Sequence, residues 1–149
     1  MRSGLVLLLL LLGCGKDKAA PITLSDTAEA ATKDIAQIKA ALAANNSNRA
    51  VAVCAVAKPG VPTLTKKEPA LAADLTRLCT RDVPLFESSR ALEKIEANKK
   101  PDPTGLRLDC ASRKSYAKWI AQGGFAADPE VVALEKRWDA ACPPTGPRP

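Results

Sequence analysis

Apolar positions fall into one unbroken run followed by a series of stripes. Leu5 to Leu12 is continuous and ends at Gly13-Cys14. Beyond it, Leu24, Ala28, Ala31, Ile35, Ile38 and Leu42 recur at alternating steps of four and three. That spacing predicts a helix with one apolar face. Ser25-Asp26 is its expected cap and Asn45-Asn46 its end. The stripe spans under three heptads and includes alanines, so it reads as the first helix of a bundle rather than a coiled-coil seam.

Asn48 is expected to cap a short second helix, Arg49–Ala57, showing Val51, Cys54 and Ala55 on its face. Lys58-Pro59-Gly60-Val61-Pro62 should end it. Thr65 and Glu68 have capping-box spacing. A third helix follows with Leu71, Leu75, Leu78 and Cys79 on one side. Asp82-Val83-Pro84 is expected to break or bend the chain. The fourth helix then turns Leu85, Leu92 and Ile95 inward, with Glu87, Arg90, Glu93, Lys94 and Glu96 in solvent. Asn98 to Gly105 reads as a loop. A fifth helix, from about Leu108 to Ala121, carries Tyr116, Trp119 and Ile120. Gly123-Gly124 stops it. Asp128-Pro129 starts a sixth helix with Val131, Leu134, Trp138 and Cys142 inward. No stretch alternates with period two long enough for a strand. The expectation is all-α, a small bundle of about five to six short helices.

The first fifteen residues point to export. Arg2 precedes an apolar core of about eight residues, and roughly 20 are needed to span a bilayer. Leu11, Gly13 and Cys14 resemble the lipobox of bacterial lipoproteins. The resemblance covers residues 1–15 alone. It implies that residues 1–13 are a cleaved signal peptide and that Cys14 is acylated and becomes the new N-terminus. It also implies anchorage to a bacterial envelope membrane. Gly15 stands where lipoproteins retained at the inner membrane often carry Asp, which tilts the expectation towards the outer membrane in a cell with two membranes. Residues 14–22 then form the lipidated cysteine and a short tether, 23–142 the helical domain, and 143–149 a proline-rich mobile tail. The eight tether residues after Cys14 reach at most about 28 Å. The anchor lipid on Cys14 is the one non-protein group expected.

Composition adds a constraint on the core. Hydrophobic content is 46% but aromatics are 3%, and much of the apolar content is alanine. Small side chains bury little area, so the core should be thin and in need of staples. With Cys14 assigned to lipid, Cys54, Cys79, Cys110 and Cys142 remain, an even number that in an exported chain reads as two disulfides. The gaps of 25, 31 and 32 residues do not resemble the close pairs of zinc sites, and the chain holds no histidine. Cys110 and Cys142 lie equally far from residue 126, the expected turn of the last hairpin. They should therefore meet at its open end. Closing such a loop is worth roughly 3–4 kcal/mol in the chain-entropy model. Cys54–Cys79 follows by elimination, although Cys79 lies further past its intervening loop than Cys54 lies before it. The pairings Cys54–Cys110 with Cys79–Cys142, and Cys54–Cys142 with Cys79–Cys110, stay open.

Candidate chemistry is sparse. Without histidine, Ser-His-Asp and Cys-His catalysis are excluded. Cys-x-x-Cys pairs and a P-loop are missing too. Carboxylates lie mostly on helix faces beside Lys or Arg, as solvated charge does. No catalytic or metal-binding residues are assigned, and no enzyme activity is expected. Net charge is +6, one less once Arg2 leaves, which suits anionic envelope surfaces better than nucleic acid. Four of the five aromatics fall in the last hairpin beside cations. Arg113, Lys114, Tyr116, Lys118, Trp119, Phe125, Lys136 and Trp138 therefore form the candidate binding surface. The bland alternative is that the rings simply fill the core. The expected role is binding, by an accessory or structural lipoprotein with an envelope protein or anionic polymer as partner. An inhibitor or immunity-type lipoprotein acting on a cell-wall hydrolase is the alternative, and a carboxylate-based enzyme the third.

Overall fold

The computed structural model describes residues 25–98 and 102–142. The expected signal peptide, Cys14 and the tether to residue 22, together with Thr23, Leu24 and the tail 143–149, lie outside the described residues. Within them, five helical stretches build an all-α bundle stapled by two disulfides.

The first stretch is α1, Ala28–Ala43. Thr27 caps it by accepting from the Ala30 N–H, so the cap lies after Ser25-Asp26. Ser25 is instead buried, with its Oγ donating to Asp34. Ala31, Ile35, Ile38 and Ala41 form the inner face, while Ala28 is exposed and Leu24 lies outside the described residues. Asn45 takes a left-handed φ of 60° at the turn, a conformation in which Asn is enriched. Asn46, not Asn48, caps the next helix by accepting from the Arg49 N–H.

The second stretch joins α2, Ser47–Ala57, through a 3₁₀ turn, Lys58–Gly60, to α3, Val61–Lys67. Helix α2 ends at Ala57 as expected, but the chain stays helical through the turn and into α3. Pro59 and Pro62 each occupy a first turn, where a missing N–H costs nothing. The Thr65–Glu68 capping box does not form. Thr65 lies inside α3 and its hydroxyl donates to the Val61 carbonyl.

The third stretch is α4, Pro69–Arg77, a π segment, Leu78–Asp82, and α5, Val83–Ala97. Asp82-Val83-Pro84 therefore bends the ladder without breaking the chain out of helix. In a regular α-helix the Pro84 ring would meet the carbonyl four residues back. The π segment supplies one extra residue, and the Val83 N–H reaches the Leu78 carbonyl.

The fourth stretch is α6, Pro103–Ala111, and α7, Arg113–Gln122. The expected loop to Gly105 is shorter than its composition suggests, because Asp102 caps α6 by accepting from the Gly105 N–H. The expected single helix from Leu108 is interrupted at Ser112, whose hydroxyl donates to the Asp109 carbonyl. Leu108 is exposed at 66%. The fifth stretch is α8, Pro129–Ala141, capped as expected by Asp128.

Two apolar cores result. Ile38, Val53, Leu64, Leu75 and Val83 centre the first, between α1, α2, α3, α4 and the start of α5. Leu92, Ile95, Leu134 and Trp138 centre the second, between α5 and α8. Helix α5 belongs to both and touches α2, α6, α7 and α8. Each core has one staple. Cys54–Cys79 ties α2 to the π segment at a Cα separation of 5.4 Å, and Cys110–Cys142 ties α6 to the end of α8 at 5.8 Å. The first pairing needs no hairpin symmetry, because α3 intervenes between its partners and folds the chain back. Among the described residues no helix is long and apolar enough to cross a membrane.

Candidate functional site

An apolar cleft lies over the Cys54–Cys79 disulfide. Its volume is about 570 Å³, within the ~300–1,000 Å³ range of small-molecule sites. Helix α2 contributes Val51, Cys54 and Ala55. The 3₁₀ turn and α3 contribute Lys58, Val61 and Pro62. The α4–α5 stretch contributes Leu75, Thr76, Cys79, Thr80, Val83 and Pro84, and the end of α7 contributes Trp119, Gln122 and Gly123.

Three local features make this wall. The disulfide holds α2 and the π segment together, which fixes the floor. The π segment places Cys79 and Thr80 on the cleft, and the Thr76 and Thr80 hydroxyls donate to the Ala72 and Thr76 carbonyls in their own helix. Those polar groups are thereby satisfied within the helix, and the lining behaves as an apolar surface. Gly60 lets the chain cross closely: an added Cβ there would stand 2.5 Å from the Ser25 carbonyl carbon. Ser25, where the described chain begins, therefore lies against the turn that carries Lys58 and Val61.

Lys58 is the one charged side chain in the lining. It is exposed and takes part in no ion pair among the described residues. Trp119 stands at the rim, 40% exposed, with Tyr116 edge-on to it at 6.3 Å between ring centroids. Burial pushes the Tyr116 hydroxyl above its ordinary pKa, with the Glu87 charge adding to the rise.

The eight residues singled out from sequence do not form one surface, and Tyr116, edge-on to Trp119, packs against the second core. Trp138 is fully buried in the second core, its Nε1–H donating to Ser88 Oγ at 2.8 Å. Arg113 is engaged by Glu135 and Asp139. Burial opposes its charge, but these two carboxylates outweigh that and hold the guanidinium protonated. Lys114, Lys118 and Lys136 are exposed, while Phe125 is half-buried beside Gly123. Only Trp119 of the eight reaches the cleft.

The remaining cleft residues escaped sequence reasoning. The available signal was α2 itself. Ala50 to Ala57 is apolar almost all round, more than one buried face requires. Val56 is 40% exposed and Ala55 is exposed. The lysine-proline-glycine turn read as a helix end, which hid its role as a wall.

The π segment also anchors the two cores to each other. Arg81, 8% exposed, donates through Nε and Nη2 to both oxygens of Asp128, through Nη1 to Asp82 and through Nη2 to Glu130. Its guanidinium is held well above the usual arginine value, chiefly by Asp128 and then Asp82. The same contact, with the Glu130 N–H adding to it, holds the Asp128 carboxyl below the usual carboxylate range.

Among the described residues no group of three or more His, Cys, Asp or Glu is placed to hold a metal ion. Compared with known proteins, the chain matches no family model, no curated protein and no solved structure.

Proposed function

We propose that the protein is an exported lipoprotein, held on a bacterial envelope membrane by lipid on Cys14, that works by binding. The cleft beside Trp119 receives the apolar part of an envelope component. The observation that carries this reading is the cleft itself: an apolar surface between disulfide-tied helices, with an exposed indole on its rim. The lipobox-like Leu11-Leu12-Gly13-Cys14 supports the anchor. Ser25, the first described residue, packs on the Gly60 turn next to the cleft wall, which supports a cleft close to the anchored end.

The test is crosslinking in the native cell from a photoreactive residue at position 119, with exposed Lys136 as the control position. The reading expects a discrete adduct from 119 that is missing from 136. Equal background from both positions would count against it.

A further inference from the structure

Resting on that reading, a narrower one follows for the same cleft. We infer that it binds one aliphatic chain bearing a carboxylate head, a fatty-acid-like amphiphile, with Lys58 contacting the head. A methylene occupies about the volume of a water molecule, roughly 30 Å³, so the cleft holds on the order of fifteen to twenty of them. That matches one long aliphatic chain. The lining offers such a chain what it needs. Val51, Ala55, Val61 and Pro62 give aliphatic contact, and the Thr76 and Thr80 hydroxyls are turned to their own helix. A protein partner would bring side-chain amides or hydroxyls that this lining leaves largely unmet.

Charge complementarity sets the head group. Lys58 is a lone cation in the lining, without an acidic neighbour in the cleft or an ion pair among the described residues. It occupies the same turn as Gly60, on which Ser25 lies. The head of a bound chain would thus lie at the turn against which Ser25, the first described residue, packs.

The test uses the mature chain from its native membrane fraction, reconstituted in phosphatidylcholine nanodiscs, with diazirine-bearing palmitate as the probe. Mapped by peptide mass spectrometry, the label is expected on Val51, Val61 and Trp119 and is competed by unlabelled palmitate but not by hexadecanol. Lys58→Glu lowers labelling about tenfold, the effect of losing one charge-assisted contact, while Lys58→Arg retains it. Ala55→Trp places an indole in the cleft from an exposed position and removes the label with helical circular dichroism unchanged. Label scattered over the surface and indifferent to Lys58→Glu and Ala55→Trp would overturn the inference. Equal competition by hexadecanol would overturn the head-group assignment. A protein adduct from position 119 in cells, without palmitate labelling, would sink this inference and leave the binding reading standing. Failure of both crosslinks would sink both.

Discussion

Asp34 is a carboxylate at 0% exposure on the inner face of α1. Ser25 Oγ donates to its Oδ2 at 2.6 Å. Its Oδ1 has no hydrogen-bond partner among the described residues, and neither does Gln37 Nε2 one turn along. A buried acceptor stripped of its donor costs the desolvation penalty in full. Ser25→Ala should therefore lower stability by about 1–3 kcal/mol, read from the urea midpoint. Arg81 poses the same problem with the opposite charge. Asp128 is held below its ordinary value by Arg81. Its contribution is complete above the unfolded carboxylate value near ~4 and is lost as pH falls through the lowered folded value. Asp128→Asn should be less stable at neutral pH, and its stability should fall less steeply than the wild type's below about pH 4. A pH series of urea midpoints checks both halves. Neither Asp34 nor Arg81 could be picked out from sequence, because a charge buried with partners nine or forty-seven positions away is written like any surface charge.

At the scale of elements, the sequence carried most of the helices and few of their joints. Stripes such as Ile35, Ile38 and Val131, Leu134, Trp138 survive in the structure because one face of each helix must be buried. The joints depend on choices made beyond the helix. Asp128-Pro129 starts α8 as expected, since cap and proline act locally. Pro84 does not end its helix, because a π segment absorbs the missing N–H and packing against α2 and α7 holds the stretch together. Asn48 lost the capping role to Asn46, two residues earlier. The cleft arose at such joints, between the 3₁₀ turn and the π segment, which is why it was not legible. Gly60 is the test at this scale. Its Cβ would stand 2.5 Å from backbone, so neither side can yield cheaply. Gly60→Ala should cost about 1–3 kcal/mol, as overpacking does, with amide exchange rising first at Asp26 and Thr27.

Across the whole molecule, two small cores share α5, and each has its own disulfide. Equidistance from residue 126 located Cys110–Cys142, and Arg113 with Asp139 obeys the same symmetry. Cys54–Cys79 came only by elimination, since the extra turn of chain through α3 was unseen. Replacing either pair by serine should cost about 3–4 kcal/mol. The two losses should differ in place. Without Cys110–Cys142, hydrogen exchange should rise in α6 and the end of α8 while α1 and α2 stay protected. Without Cys54–Cys79, α2 and the cleft floor should exchange first. Uniform loosening in both variants would mean that the cores unfold as one.

The proposed binding role rests on the proposed lipid anchor and envelope compartment and on the two disulfides, and one measurement reaches all three. It is the intact mass of the protein from its native membrane fraction, alkylated with and without prior reduction. The expected result is a chain beginning at an acylated Cys14, with Cys54, Cys79, Cys110 and Cys142 open to alkylation only after reduction. A chain that retains Met1 and whose thiols alkylate freely would contradict export, lipid anchor and both disulfides, and the membrane-held binding role would go with them.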